Sequence, residues 1–226
     1  MFVSLTWTAD ISEVEARILA QTIAGAVTRV GERIGLWFQS RALPTIRPFG
    51  DWIIPAMPHG SAYSSLDWYL GRCRTPDGKR LDGPAYLRLV QVEPWQSSTP
   101  HLDVALVSQD LVDAGGESVL NVALPGLAAV ASLHHLRELS SQAAQDSGLR
   151  HLVAHVFGRA VGIPRGLPPR AGGEGQYCTN QCAMRPCTQL KELLAYSAEG
   201  DPSRPYCQAC ERDLAAVLIG SYFGLN

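Results

Sequence analysis

His151 and His155 stand four residues apart in the segment HLVAHVFG, which ends at Gly158. On a helix, side chains at i and i+4 project from one face, so two imidazoles at this spacing can share a metal ion. The chemistry such a pair most often serves is zinc-assisted hydrolysis. That reaction also needs a third protein ligand and a general base for the metal-bound water. In an H-E-x-x-H helix the base is the glutamate beside the first histidine. Here that position is Leu152, which carries no proton. Losing a positioned base costs on the order of 10²–10⁴ in rate. The elongated motif would put a third histidine at position 161, which is Val161. Two readings stay open: a pair of solvated or hydrogen-bonded histidines, or a metal site with altered ligands.

Five of the six cysteines fall between Cys178 and Cys210. They run Cys178-x3-Cys182 and, after twenty-four residues, Cys207-x2-Cys210. Two short-spaced pairs flanking a short element are how a tetrahedral structural zinc site is usually built, with four thiolates closing the coordination sphere against substrate. Such a site contributes on the order of 10 kcal/mol of apparent binding energy to folding. Spacing alone leaves Cys182-x4-Cys187 as an alternative first pair. Cys73 stands apart and reads as a small buried hydrophobe.

The metal reading of the cysteines assumes a reducing compartment. The opening MFVSLTWTADISEVEARILA lacks a basic region and carries three carboxylates, so it is no signal peptide and a cytoplasmic location is expected. No apolar run reaches the roughly 18–20 residues that span a bilayer. The net charge of −2, from 19 basic and 21 acidic residues, gives no electrostatic reason to expect nucleic acid or an anionic membrane as partner.

The elements that must position these residues are legible in outline. FVSLTW alternates like a strand. The following segment carries Ile11, Val14, Ile18, Ile23, Val27, Val30 and Ile34 at near-helical spacing. Ser12 and Glu15 form its capping-box start. Residues from about 40 to 84 are rich in Pro, Gly and Ser and read as loops with short elements. AYLRLVQV (85–92), LDVALVS (102–108) and SVLNVAL (118–124) are strand candidates, and LAAVASLHHLREL is ambiguous between strand and helix. A mixed sheet with covering helices is therefore expected.

In SGLRHLVAHVFGRAVG, Leu149, Leu152, Val153, Val156, Phe157 and Ala160 form a helical stripe toward the core. Arg150, His151, Ala154, His155, Gly158 and Arg159 are expected on the opposite side. GIPRGLPPRAGGEGQ (162–176) is a loop, and TQLKELLAYSA and CERDLAAVLIGSYFG are short closing helices. His134 and His135, being adjacent, are expected on different faces. His59 and His101 read as surface loop residues.

Taken together, these segments resemble the archaemetzincins, a family of metzincin-clan zinc proteins. Their pattern runs H-E-x-x-H-x-x-G-x-x-H-C-x4-C-x-M and closes on a C-x-x-C. HLVAHVFGRAV, CTNQCAM and CQACERDL are the matching stretches, and the resemblance extends from about residue 100 to 214. It implies an α+β fold, α/β-like: a metzincin-type mixed sheet with covering helices, an active-site helix and a C-terminal four-cysteine zinc knuckle. One domain over 1–226 is expected, with the knuckle as a subregion at 174–214.

By the same resemblance, Met184 takes the place of the Met-turn methionine, which favours Cys178 with Cys182 over Cys187 as the first zinc pair. The family's third histidine directly precedes its first cysteine. Here Tyr177 precedes Cys178, which makes Tyr177 a candidate third ligand, and Glu174 a further candidate for ligand or base. The missing glutamate and histidine put peptidase activity in doubt.

The leading expectation is therefore a degenerate family-like protein. It keeps a structural zinc at Cys178, Cys182, Cys207 and Cys210 and has a binding or regulatory role, with a peptide or protein as ligand. The alternative is an active metal-dependent hydrolase using a second metal at His151 and His155 with Tyr177 or Glu174. A third reading is a zinc-knuckle interaction domain without metallopeptidase history.

Overall fold

The computed structural model describes residues 2–35, 44–51, 66–93, 95–96, 99–165 and 177–223. Its centre is a five-stranded sheet in the order β2-β1-β4-β8-β7. It is built from β1 (Phe2–Trp7), β2 (Thr45–Gly50), β4 (Leu102–Val107), β7 (Asn121–Leu124) and β8 (Ala128–Ser132). β2, β1, β4 and β8 run parallel, and β7 lies antiparallel on β8 at the edge. β4 is buried along its whole length, as a central strand covered on both faces must be.

Alternation along these strands sorts the side chains into two cores. Val3, Leu5, Val104 and Leu106 face α1 (Glu13–Arg33) and α5 (Gln142–Val161). Ala105, Val107 and Val130 face the other way. There they meet α2 (Leu66–Arg72) and α3 (Gly83–Gln91), together with a small sheet of β3 (Leu81–Asp82), β5 (Leu111–Val112) and β6 (Ser118–Val119). The capping box of α1 forms as its sequence dictates. The Ser12 N–H donates to Glu15 Oε2 at 2.7 Å, and the Glu15 N–H returns to Ser12 Oγ at 3.2 Å.

Several expectations are corrected. Residues 85–92 are not a strand but most of α3. Asp82 caps that helix by accepting from the Ala85 N–H at 2.8 Å, and Pro84 sits in its first turn. Tyr86, Leu87 and Val90 are then its buried face, an i, i+1, i+4 set that a helix and not a strand brings to one side. The single strand expected over 118–124 is two, β6 and β7, belonging to different sheets and parted at Leu120. The ambiguous segment is both: β8, then the short α4 (His134–Arg137).

The largest correction concerns α5. Its expected outer face is not open, because Ala154, His155 and Gly158 are as buried as the apolar stripe. The chain after Tyr177 returns across that face, followed by α6 (Leu190–Glu199) and α7 (Gln208–Phe223). Gly158 permits the approach. A Cβ there would run into the Met184 sulfur and lie 3.3 Å from Ile163 Cγ1. Gly158→Ala is therefore expected to destabilise the protein by about 1–3 kcal/mol, the usual cost of overpacking, read as a lower urea midpoint. An unchanged midpoint would mean that helix and crossing chain are not in register as described.

Candidate metal centre and histidine pair

The crossing chain carries the thiols. Cys178, Cys182, Cys207 and Cys210 bring their sulfurs within 4.8 Å of one another. Cys178 and Cys207 are 3.6 Å apart. Four sulfurs at about 2.3 Å from one zinc stand about 3.8 Å from each other, so the cluster has the dimensions a tetrahedral ion requires. Backbone and side-chain N–H groups already point at the sulfurs. Asn180 N reaches Cys178, Met184 N reaches Cys182 and Asn180 Nδ2 reaches Cys207, each at 3.4 Å. Cys210 lies in the first turn of α7, where the helix dipole favours thiolate.

The thiols do not ionise alike. A hydrogen bond from Cys210 holds Cys182 down to about 6, with backbone N–H groups adding to it. Donating that bond pushes Cys210 well up, and burial pushes Cys178 up to about 11. Cys187 lies outside this cluster. Its thiol is fully buried and pushed up to about 12 by burial, and its carbonyl accepts from Asn121 Nδ2 at 2.8 Å. Cys73 is likewise buried and pushed up to about 12. The donor set at the four clustered thiols fits a zinc ion, and thiolates that fill all four positions leave no place for a reacting ligand.

His151 and His155 share a helix face but not an environment. The His155 Nδ1–H donates to the Ala183 carbonyl at 2.7 Å, which leaves Nε2 as the lone-pair nitrogen. The Tyr177 ring runs nearly parallel to it, at 12° with centroids 6.3 Å apart, and the Arg159 guanidinium sits 4.9 Å from the Tyr177 ring centre. His151 instead lies beside Tyr196 and lines a 370 Å³ pocket with Arg150, Arg185 and Cys207. Leu152, at the position of the absent base, is fully buried in the core.

Among the described residues, no His, Cys, Asp or Glu joins the pair to make a group of three. The Glu174 position lies outside the described residues, as does His59. Among the described residues this set therefore supplies two imidazoles, with no third ligand of these types and no carboxylate base beside them. A second cleft, of 440 Å³, runs beside the edge strand β7 between α3 and α5. Val122, Leu124, Arg159 and Tyr177 line it; neither histidine does.

Two further placements depart from the sequence reading. His134 and His135 do not diverge. In the tight first turn of α4 their rings lie 4.9 Å apart, beside the Glu138 carboxylate, at the surface. His101 is no surface residue: it is 4% exposed and grouped with Glu93 and Asp103. Its i, i+2 spacing to Asp103 at the start of a strand was the signal that places both on one face.

Both imidazoles of the pair are held neutral. Burial, with Arg185 adding, pushes His151 down to about 4, and burial with Arg159 pushes His155 down to about 3. An unfolded histidine protonates near 6.5, so between about 6.5 and about 4 the unfolded chain binds protons that the folded chain does not. Stability from these groups is present above that window and is lost as pH falls through it. The urea midpoint should therefore drop between pH 7 and pH 5 more in the parent than in His155→Gln, which keeps an amide donor for Ala183. Equal drops would refute the assignment.

No protein-family model and no curated protein matches the sequence. Solved structures do match in fold. An archaemetzincin from Archaeoglobus fulgidus, complexed with malonate, is 14% identical and aligns over 94% of this chain and 99% of its own, with a TM-score of 0.55. An archaemetzincin from Methanopyrus kandleri is 16% identical over 96% of each chain, with a TM-score of 0.56. A zinc-dependent peptidase from Methanocorpusculum labreanum is 16% identical over 94% of this chain and 99% of its own, also at 0.56. Across nearly its whole length, sheet, helices and crossing chain included, the protein has the archaemetzincin fold.

Proposed function

We propose that this protein is a zinc-stabilised peptide-binding protein on a metallopeptidase fold, without efficient peptidase activity. The observation that carries the reading is the separation of parts. Neither imidazole lines the cleft beside β7, whose wall reaches His155 through the Tyr177 ring, and no base stands with the pair among the described residues.

Zinc at Cys178, Cys182, Cys207 and Cys210 would fix the crossing chain against α5. β7 is an edge strand among the described residues, and an extended peptide can add to such an edge through main-chain hydrogen bonds. Partly exposed Val122 and Leu124 offer apolar contacts, while Arg159 and Tyr177 offer a cation and an aromatic face at the far wall. The absence of a membrane-crossing helix among the described residues and the near-neutral charge are compatible with a peptide or protein partner.

Metal analysis tests the first half. Zinc bound by the thiols should be lost on Cys207→Ser, whereas His151→Ala should leave the metal content unchanged. Chelator-sensitive proteolysis that disappears in His151→Ala would overturn the reading and favour an active enzyme with altered ligands, with Tyr177 or Glu174 completing the site. A peptide library tests the second half. Val122→Asp should weaken any selected peptide on the order of tenfold or more, the effect of placing an unpaired charge in a contact core, measured on a variant shown to be folded because Val122 also packs against the second core. Binding that ignores Val122 and Arg159 would place the partner elsewhere.

A further inference from the structure

The far side of the sheet holds another group of ligating side chains, independent of the thiols and of the histidine pair. Glu93 follows α3 by two residues, His101 precedes β4 by one, and Asp103 is the second residue of β4. They are 5%, 4% and 5% exposed, and their ligand atoms lie within 4.8 Å of one another. We propose that Glu93, His101 and Asp103 form a second metal site, for a divalent cation of the zinc or manganese class.

The orientation of His101 carries the argument. Its Nδ1–H donates to the Thr99 carbonyl at 2.6 Å, which fixes the tautomer and turns Nε2 inward. Metal-bound histidines are held in this way by their second nitrogen. Nε2 is buried and faces the Asp103 carboxylate at ion-pair distance, 3.1 Å from Oδ2, without the alignment of a good hydrogen bond. Two donors sharing an ion at about 2.1 Å stand about 3.0–3.4 Å apart without facing each other, because both face the ion.

The surroundings are those of a supported ligand set. Gln96 Nε2 donates to Asp103 Oδ2 at 2.8 Å and to the His101 carbonyl at 3.2 Å, tying the approach segment to the strand. The Trp95 ring lies 3.5 Å from the His101 ring at 35°, and the Phe2 ring is 5.5 Å away, so the imidazole has little room to turn. Ser4, paired with Asp103 across β1 and β4, buries a hydroxyl that has no partner among the described residues.

Charge points the same way. Two carboxylates beside one imidazole bury net negative charge that a proton on the ring offsets in part and a cation offsets more fully. Three ligands of nitrogen and oxygen suit zinc or manganese and leave positions for water. The ion would clamp the segment between α3 and β4 onto the end of the sheet.

Cobalt reconstitution of the full chain, read by metal analysis and visible absorption, tests the site. Beyond the equivalent with intense thiolate-to-cobalt bands, a second equivalent with weak nitrogen- and oxygen-type bands is expected. Glu93→Gln, nearly isosteric, should weaken that second equivalent at least tenfold, as should His101→Ala; His151→Ala should leave it in place. If His101→Ala fails to fold, Glu93→Gln and a manganese titration followed by electron paramagnetic resonance decide. No equivalent beyond the thiolate-bound one would overturn the proposal. So would an equivalent that survives Glu93→Gln or vanishes with His151→Ala.

Discussion

One residue without a functional side chain ties the lower half of the molecule together. The Ala183 carbonyl accepts from His155 Nδ1, and the Ala183 N–H donates to the Pro205 carbonyl at 2.7 Å. Its neighbours Cys182 and Met184 belong, respectively, to the thiol cluster and to the contact with Gly158. A second clasp lies close by, where the Tyr206 hydroxyl donates to the Ala154 carbonyl at 2.6 Å. Both polar bonds are buried, and breaking either would leave an unsatisfied group in the core, at a cost of roughly 1–3 kcal/mol. The thiol cluster and the histidine helix are therefore mechanically one unit.

That coupling separates stability from catalysis. A zinc held by four thiolates would lock Cys178 and Cys182 to Cys207 and Cys210, and through Ala183 it would hold the helix. None of this asks anything of Leu152 or of a third ligand to the imidazole pair. A fold anchored in this way can carry a cleft for binding whether or not its helix performs chemistry. The edge strand is joined to the same frame by Asn121, whose amide bonds the Cys187 carbonyl. Cys187 thus serves the frame through its backbone while its thiol stays out of the cluster.

What the sequence made legible follows from range. The cysteine spacing, the imidazole pair and the capping box of α1 are local patterns, and local geometry realises them. The burial of α5 on every side is not local. Ala154, His155 and Gly158 read as an outer face because the chain that covers them lies some thirty residues further on. α3 reads as a strand because Leu87 and Leu89, and Val90 and Val92, alternate locally, whereas its buried set of Tyr86, Leu87 and Val90 is helical; the deciding signal was the Asp82 cap with Pro84 behind it. Glu93 carries no local signal, because only the tertiary fold returns the end of α3 to the start of β4. The fold class itself, a mixed sheet with covering helices, was legible from the patterning together with the family resemblance.

The two histidines of the helix now carry unequal weight. His155 has a structural occupation: its ring is buried and bonded to the frame, and a residue of another shape would lose the Ala183 contact. The same bond would also orient the ring for a metal on Nε2. His151 has no such structural occupation. Its Nε2 is buried without a hydrogen-bond partner among the described residues, yet the ring borders a pocket lined by Arg150 and Arg185. That pocket carries the carboxylates of Glu199 and Asp201 as well as guanidinium groups, and Arg185 is paired with Glu199 at 3.0 Å. Between the two, the frame orients His155 and leaves His151 to face the pocket.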